Sequence, residues 1–383
     1  MVAAGGGGDA ITAAVLGSAL GLTSQPPVVM TYAWDRLIID PLPGSRGASE
    51  FTGLDRPRPS VHEILPTSRP IAPAGSTLPR LAAELPARLL LLDPEDGAVG
   101  MSRQITAVAE LVGADQLAVV DVGGDILADG TEEGLRSPLA DLLALAACSL
   151  VDLPARVVVT GAGLDGELSV AEVCHRVDIL GGREIAVVSP AVICPVREIF
   201  DWHPSEASGL LALAAQGLRG TVEIRDAGCH VALSDLSVAV FDLDADVVTV
   251  SGLAARLRTS TTPRQAASVI TEFTGIAELD AEAGKAARLT HQRSHAPTVR
   301  DLARIDDIAA STAARGAAFV SVRRLAELLG VHTEEHLAGF RRLLATERRT
   351  NYRSPVYDCS RPRGDNRQDR PHRRCTPPTA PIG

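Results

Sequence analysis

Short apolar runs rich in β-branched residues recur along the first 280 residues, each followed by a longer stretch with helical spacing. This alternation constrains the fold more than any other feature. The runs are VVMTY (28–32), RLLLLD (88–93), LAVVDV (117–122), RVVVTG (156–161), EIAVVS (184–189) and VAVFDL (238–243). Helical spacing covers 10–21, 78–86, 102–113, 138–150, 169–180, 205–218 and 263–274. Strands that are apolar on both sides must be covered on both faces, and strands separated by helices pair in parallel. The expectation is an α/β protein: a Rossmann-like, doubly wound, mostly parallel sheet over residues 1–280, with a small helical C-terminal segment over 281–347.

Two stretches break the rhythm. Residues 40–78 are rich in Pro, Gly, Ser and Arg without any period, and so long a connection in a compact domain is expected to be a lid or site wall. From Arg348 to Gly383 arginine outnumbers acid and the pattern dissolves. That composition reads equally as a disordered basic tail or as a frameshift artefact in GC-rich coding sequence. At the other end, MVAAGGGGD leaves only four residues for a first strand, which points to a start upstream.

Composition excludes several kinds of partner and chemistry. A net charge of −10 is a poor match for nucleic acid or an anionic membrane, both of which select a basic face. No apolar run reaches the roughly 18 residues of a membrane helix. Lys285 is the single lysine, so a pyridoxal Schiff base has one candidate, and no G-x-x-x-x-G-K-[ST] phosphate loop exists. The six cysteines form no C-x-x-C pair and no compact framework, as expected of reduced thiols in a cytoplasmic protein.

The chemistry gathers in three glycine-rich loops at strand ends. GGGGDA supplies Gly5, Gly6, Gly7, Gly8 and Asp9, with Gly5, Gly7 and Ala10 in the G-x-G-x-x-A spacing that brings a backbone close to a pyrophosphate. Asp9 puts a carboxylate where that phosphate would rest, and as a structural residue it would be a helix N-cap. VVDVGGD supplies Asp121, Gly123, Gly124 and Asp125, and VVVTGAGLDGE supplies Gly161, Gly163, Asp165, Gly166 and Glu167. In open parallel sheets ligands bind beyond the carboxyl ends of strands, so the three loops are expected to share one crevice. Crowded carboxylates repel unless protonated, bound to a cation or satisfied by donors, so the site calls for Mg²⁺ or a hydroxyl-rich ligand such as a nucleotide.

Some of the charge in DVGGDILADGTEEGLRSPLADLL has a structural reading. Ser137 fits an N-cap, Pro138 the first helical position, and Asp141 the first turn of the helix. Other motifs fail on context. VVVTGAG lacks the arginine-bearing continuation and zinc cysteines of the sirtuin loop. In HTEEH, Thr333 as an N-cap separates His332 from His336, so the pair cannot share a metal. His203 in WHP and His230 in RDAGCH have no paired nucleophile and read as structural histidines.

Taken together, GGGGDA, WDRLIIDPLPG, DVGGDILADGTEEGLRSPLADLLALAA and GAGLDGEL resemble an uncharacterised "domain of unknown function" family of archaea and actinomycetes. The likeness covers roughly residues 1–280 and implies an α/β domain without implying an activity. The resulting expectation is a cytoplasmic enzyme acting on a small phosphorylated or ribosylated metabolite. In it the glycine loops, Gly123, Gly124 and Gly163 included, cradle phosphate, and Asp121, Asp125 and Asp165 hold a divalent metal or the sugar. Arg136, with Asp125 and Asp165, carries the chemistry. The alternatives are a non-catalytic nucleotide or metabolite sensor, compatible with a homo-oligomer, and a dinucleotide-dependent oxidoreductase using GGGGDA.

Overall fold

The computed structural model describes residues 1–21, 26–225 and 228–360. Its centre is a nine-stranded sheet in the spatial order Arg183–Val187, Ala239–Asp244, Ala155–Thr160, Leu117–Val122, Val2–Ala3, Val28–Thr31, Arg88–Leu91, Val61–Ile64, Asp55–Arg58. The five strands from Ala155–Thr160 to Arg88–Leu91 pair in parallel. Antiparallel pairs flank them, Ala239–Asp244 with Arg183–Val187 on one side and Val61–Ile64 with Asp55–Arg58 on the other. In chain order the parallel five run 3-2-1-4-5. The order therefore reverses between Val2–Ala3 and Leu117–Val122, which opens a crevice at their carboxyl ends.

Alternation along the strands explains why both faces are covered. Val2, Met30, Leu90, Val119 and Val157 point into one apolar layer, and Ala3, Val29, Leu89, Val120 and Val158 point into the other. The first layer is closed by helices Gly97–Val112, Leu139–Cys148 and Pro263–Thr274, the second by Gly7–Ala19, Leu78–Glu84 and Glu206–Ala215. Leu139–Cys148 is buried along its whole length, so it carries no polar stripe.

The stretch 40–78 is more ordered than its composition suggests. It contains Asp55–Arg58 and Val61–Ile64, which extend the main sheet, and a two-stranded pair of Phe51–Thr52 with Arg69–Pro70. Buried Arg46 holds its start together, pairing with Asp40 at 3.0 Å and Glu50 at 2.7 Å. The aperiodic sequence reflects very short strands, which leave no room for a readable alternation.

A second sheet, in the order His230–Leu233, Gly220–Glu223, Phe319–Ser321, Val356–Asp358, Tyr352–Arg353, was not anticipated. With helices Leu302–Ala314, Val322–Leu329 and Glu334–Glu347 it encloses its own core around Val320, Leu325, Phe340 and Tyr357. The C-terminal segment is thus mixed rather than purely helical. The expectation of disorder from residue 348 does not hold up to Ser360, because Tyr352–Arg353 and Val356–Asp358 form a hairpin on Phe319–Ser321. Residues 361–383 lie outside the described residues. Among the described residues no helix is long and apolar enough to cross a membrane.

Candidate functional site

The crevice at the strand reversal is a cavity of about 570 Å³. The first glycine loop lines it and starts helix Gly7–Ala19, with Gly6 at the cap position and no side chain capping it. Asp9 lies in the first turn and is not the cap. Its Oδ2 reaches back to accept the Gly5 amide at 2.7 Å, so a carboxylate occupies the seat a pyrophosphate would need. Close packing accounts for the glycines: a Cβ on Gly6 would stand 2.8 Å from the Trp34 carbonyl oxygen, and one on Gly8 would collide with Ser205.

Asp121 at the end of Leu117–Val122 is buried and accepts the Gly124 amide at 2.8 Å. One carboxylate oxygen each from Asp9, Asp121 and Asp141 lies within 4.8 Å of the others. Asp125 and Asp165 line the same cavity. Asp165 accepts the Glu167 amide at 2.9 Å with Oδ1, while its buried Oδ2 makes no hydrogen bond. Burial drives every one of these carboxyls upward. It raises Asp9 to about 7 against the pull of the Gly5 amide and Arg36. Burial and then Glu167 raise Asp165 to about 7. Asp121, Asp125 and Asp141 are held well above the usual carboxylate range, first by burial and then by neighbouring carboxylates, Asp9 and Asp165 acting on Asp121, Asp141 and Asp121 on Asp125, and Asp121 and Asp9 on Asp141. Near neutral pH the group either retains protons or receives a cation.

The surrounding carboxylates are mostly engaged in holding backbone. Glu167 accepts the Arg136 and Ser137 amides, each at 2.8 Å, and the Ser137 hydroxyl. Glu278, on helix Glu278–Thr290, accepts the Leu139 amide at 3.0 Å and so caps Leu139–Cys148 from outside. This corrects the expected cap: Ser137 is turned to Glu167, and the helix begins one residue later, at Leu139. Burial, opposed by that amide, lifts Glu278 to about 8. Glu282 accepts Trp34 Nε1 at 3.1 Å and the Gly44 amide at 2.9 Å, tying WDRLIIDPLPG to the same helix.

The rest of the wall carries cations, two of them, Arg225 and Arg323, set by the second sheet. Arg225 follows Gly220–Glu223, and Arg323 lies in the first turn of Val322–Leu329, which Ser321 caps. Both pair with buried Glu206, at 2.9 and 3.7 Å, and Glu206 also accepts the Ser321 hydroxyl. Burial works to raise Glu206, but Arg323 and Arg225 outweigh it and leave the group low. Arg36 and Arg136 open onto the cavity beside them. His203, buried at the glycine loop, accepts the Ser205 amide with Nδ1, and burial pushes it down to about 3. A neutral ring that accepts at Nδ1 carries its proton on Nε2.

The fold brings Gly5, Gly6, Gly7, Gly8, Asp9, Asp121, Asp125, Arg136 and Asp165 to one cavity. Gly123, Gly124 and Gly163 stand behind it instead. Gly123 and Gly124 have φ of 143° and 114°, and the Gly163 amide donates to the Gly123 carbonyl, so the two loops brace each other. A Cβ on Gly123 would overlap the Asp165 carboxylate. The carboxylate oxygens that converge are those of Asp9, Asp121 and Asp141, and Asp125 and Asp165 line the cavity beside them, so of the expected Asp121, Asp125 and Asp165 set Asp121 belongs to this trio. In the sequence Asp141 has a sufficient local reading as a first-turn residue. Asp129 pairs with Arg176 at 3.0 Å, and Glu132 accepts the Asp129 and Gly130 amides. Asp35, the acidic residue that follows the second parallel strand and that a dinucleotide site would use for its ribose, accepts from Ser76 and Thr77.

Sequence reasoning missed Arg36, Arg225, Glu206, Glu278, Glu282 and Arg323. Apart from Glu278 and Glu282, which share helix Glu278–Thr290 at an i,i+4 spacing, they belong to separate elements that no spacing links. HTEEH behaves as expected, since Thr333 caps Glu334–Glu347 and His336 bonds Ser294 at 2.8 Å. His230 is 3.7 Å from Glu223, whereas His203 lies on the cavity.

Compared with known proteins, residues 1–286 match the model of one family, "Protein of unknown function (DUF1152)". No curated protein and no solved structure matches.

Proposed function

From the premise that the chain belongs to the DUF1152 family, we propose that it is an enzyme that binds a divalent cation, Mg²⁺ by its oxygen ligands, and acts on a small phosphorylated or ribosylated metabolite. The observation that carries this reading is the convergence of Asp9, Asp121 and Asp141 oxygens within 4.8 Å at the strand reversal, on the floor of a 570 Å³ cavity. Ligands of an ion at about 2.1 Å stand roughly 3 to 4 Å apart, so small side-chain shifts suffice to close the shell. A bound cation would favour the ionised form of these carboxyls, which burial disfavours, and would polarise a ligand oxygen. Asp165, raised by burial to about 7, is suited to exchange a proton with the ligand near neutral pH, and Asp125, held well above the usual carboxylate range by burial, is suited to donate one. Arg136 faces the same space and offsets negative charge developing there.

The dinucleotide reading is weaker, because Asp9 takes the pyrophosphate seat and Asp35 is already bonded to Ser76 and Thr77. The test is calorimetric titration with MgCl₂ and MnCl₂, followed by turnover assays on a panel of phosphorylated and ribosylated metabolites. Asp121→Asn and Asp141→Asn are expected to weaken cation binding at least about tenfold and to abolish any turnover. Unchanged cation affinity in both variants would refute the reading. A ligand that is retained but never converted would favour the sensor.

A further inference from the structure

We infer that Arg36, Arg225 and Arg323 form the seat for a phosphoryl group of the ligand, replacing the glycine loop in that duty. The inference rests on the metabolite-binding reading above and narrows it to a phosphate-bearing ligand. Three observations support it. First, the ordinary phosphate seat is taken: the Gly5 amide is bonded to Asp9, whose carboxylate stands where the phosphate would rest. Any phosphate must therefore find its donors elsewhere in the cavity.

Second, three guanidiniums meet where the two sheets join, all lining the cavity. Glu206 pairs with two of them, Arg225 and Arg323, while Glu167 and Glu282 act on Arg36 and Glu327 on Arg323 from further off. The buried Nη1 of Arg323 makes no hydrogen bond. Burial, with the charges of Arg225 and Arg36, presses Arg323 down to about 10 against the pull of Glu206. The three guanidiniums repel one another, Arg225 acting most strongly on Arg36, and an anion that enters between them relieves that repulsion. A phosphoryl group carries close to two negative charges and three acceptor oxygens, which suits several guanidiniums better than a single carboxylate does.

Third, His203 is 3% exposed and its Nε2 has no partner. With Nδ1 accepting from Ser205, that Nε2 is a donor. It lies 3.1 Å from where a Cβ on Gly7 would stand, at the positive end of helix Gly7–Ala19, and feels the charge of Arg341 and, less strongly, of Arg323. An unsatisfied buried donor beside an arginine cluster matches an acceptor oxygen of the ligand.

Glu206 is a positioning residue here, fixing the two arginines without touching the ligand. The experiment is a phosphorus NMR titration of inorganic phosphate into wild-type, Arg36→Gln, Arg323→Gln and Asp141→Asn proteins, with MgCl₂ affinity measured separately by calorimetry. Each arginine variant is expected to bind phosphate about tenfold or more weakly while its Mg²⁺ affinity stays within about twofold of wild type. Asp141→Asn is expected to lose Mg²⁺ first. If wild type binds no phosphate, if both arginine variants bind it unchanged, or if succinate displaces it at equal concentration, the inference is overturned. Arginine-dependent phosphate binding without any Mg²⁺ binding sustains the inference and sinks the metal reading. Should Arg323→Gln fail to fold, Arg36→Gln alone decides, since Arg36 opens onto the cavity and supports no core.

Discussion

Glu278 couples the site to stability through its proton. Its carboxyl sits at about 8 in the folded protein, lifted by burial, and near 4.3 in an unfolded chain. Between those values the folded state holds a proton that the unfolded state has released, so the contribution is complete below about pH 4.3 and is lost as pH rises toward 8. Asp9 and Asp165, at about 7, act in the same direction. Thermal melts of the cation-free protein are thus expected to show Tm falling from pH 5 to pH 8. Glu278→Gln retains an acceptor for the Leu139 amide but has no proton to lose. It should melt higher than wild type at pH 8 and close to it at pH 5, and an unchanged pH slope would contradict this account. Gly123 poses the opposite problem. At φ 143° and against the Asp165 carboxylate, it has no room for a methyl group. Gly123→Ala is expected to cost about 1–3 kcal/mol or more in urea denaturation.

Helix Glu278–Thr290 illustrates how a stretch that reads in sequence as a plain exposed helix can be tied into the site by its polar residues. Its own core contribution is small, with Ala286 its one buried residue. It is held instead by Glu282 on Trp34 and Gly44 and by Glu278 on Leu139. Glu282→Ala should therefore raise hydrogen exchange across 278–290 by an order of magnitude or more while Leu117–Val122 keeps its protection. Equal protection in variant and wild type would mean that packing alone holds the helix. The same contrast explains what was legible beforehand. The parallel strands and their covering helices were readable because continuous burial writes itself as unbroken apolar runs such as VVMTY and LAVVDV. Asp121, Asp125 and Asp165 were readable because each follows such a run. Arg323 and Glu206 were not, since each looks like an ordinary first-turn residue of its helix until Ser321 and Arg225 are brought beside it. The hairpin after Arg348 was hidden by its surroundings, with strands of two and three residues submerged among arginines.

At the scale of the molecule, the cavity is a joint. Its acidic floor is built on the parallel sheet, and part of its cationic wall is carried by the smaller sheet, with Glu206 and Ser321 bonded across the seam. The position of Arg323 thus depends on a chain of packing that ends far from the site. Arg323 follows Phe319–Ser321, that strand pairs with Val356–Asp358, and Tyr357 fills the small core while donating to Asp306 at 3.2 Å. Removing the Tyr357 side chain would open a void in a core of few residues, at about 3–5 kcal/mol for a large aromatic. The loss should fall on the small sheet, because the apolar layers of the parallel sheet do not include Tyr357. Tyr357→Ala is accordingly expected to weaken phosphate binding at least about tenfold while leaving Mg²⁺ affinity within about twofold of wild type. Limited proteolysis should cut first within residues 300–358. If phosphate and Mg²⁺ binding fall together, the two sheets unfold as one unit and the wall cannot be loosened independently of the floor.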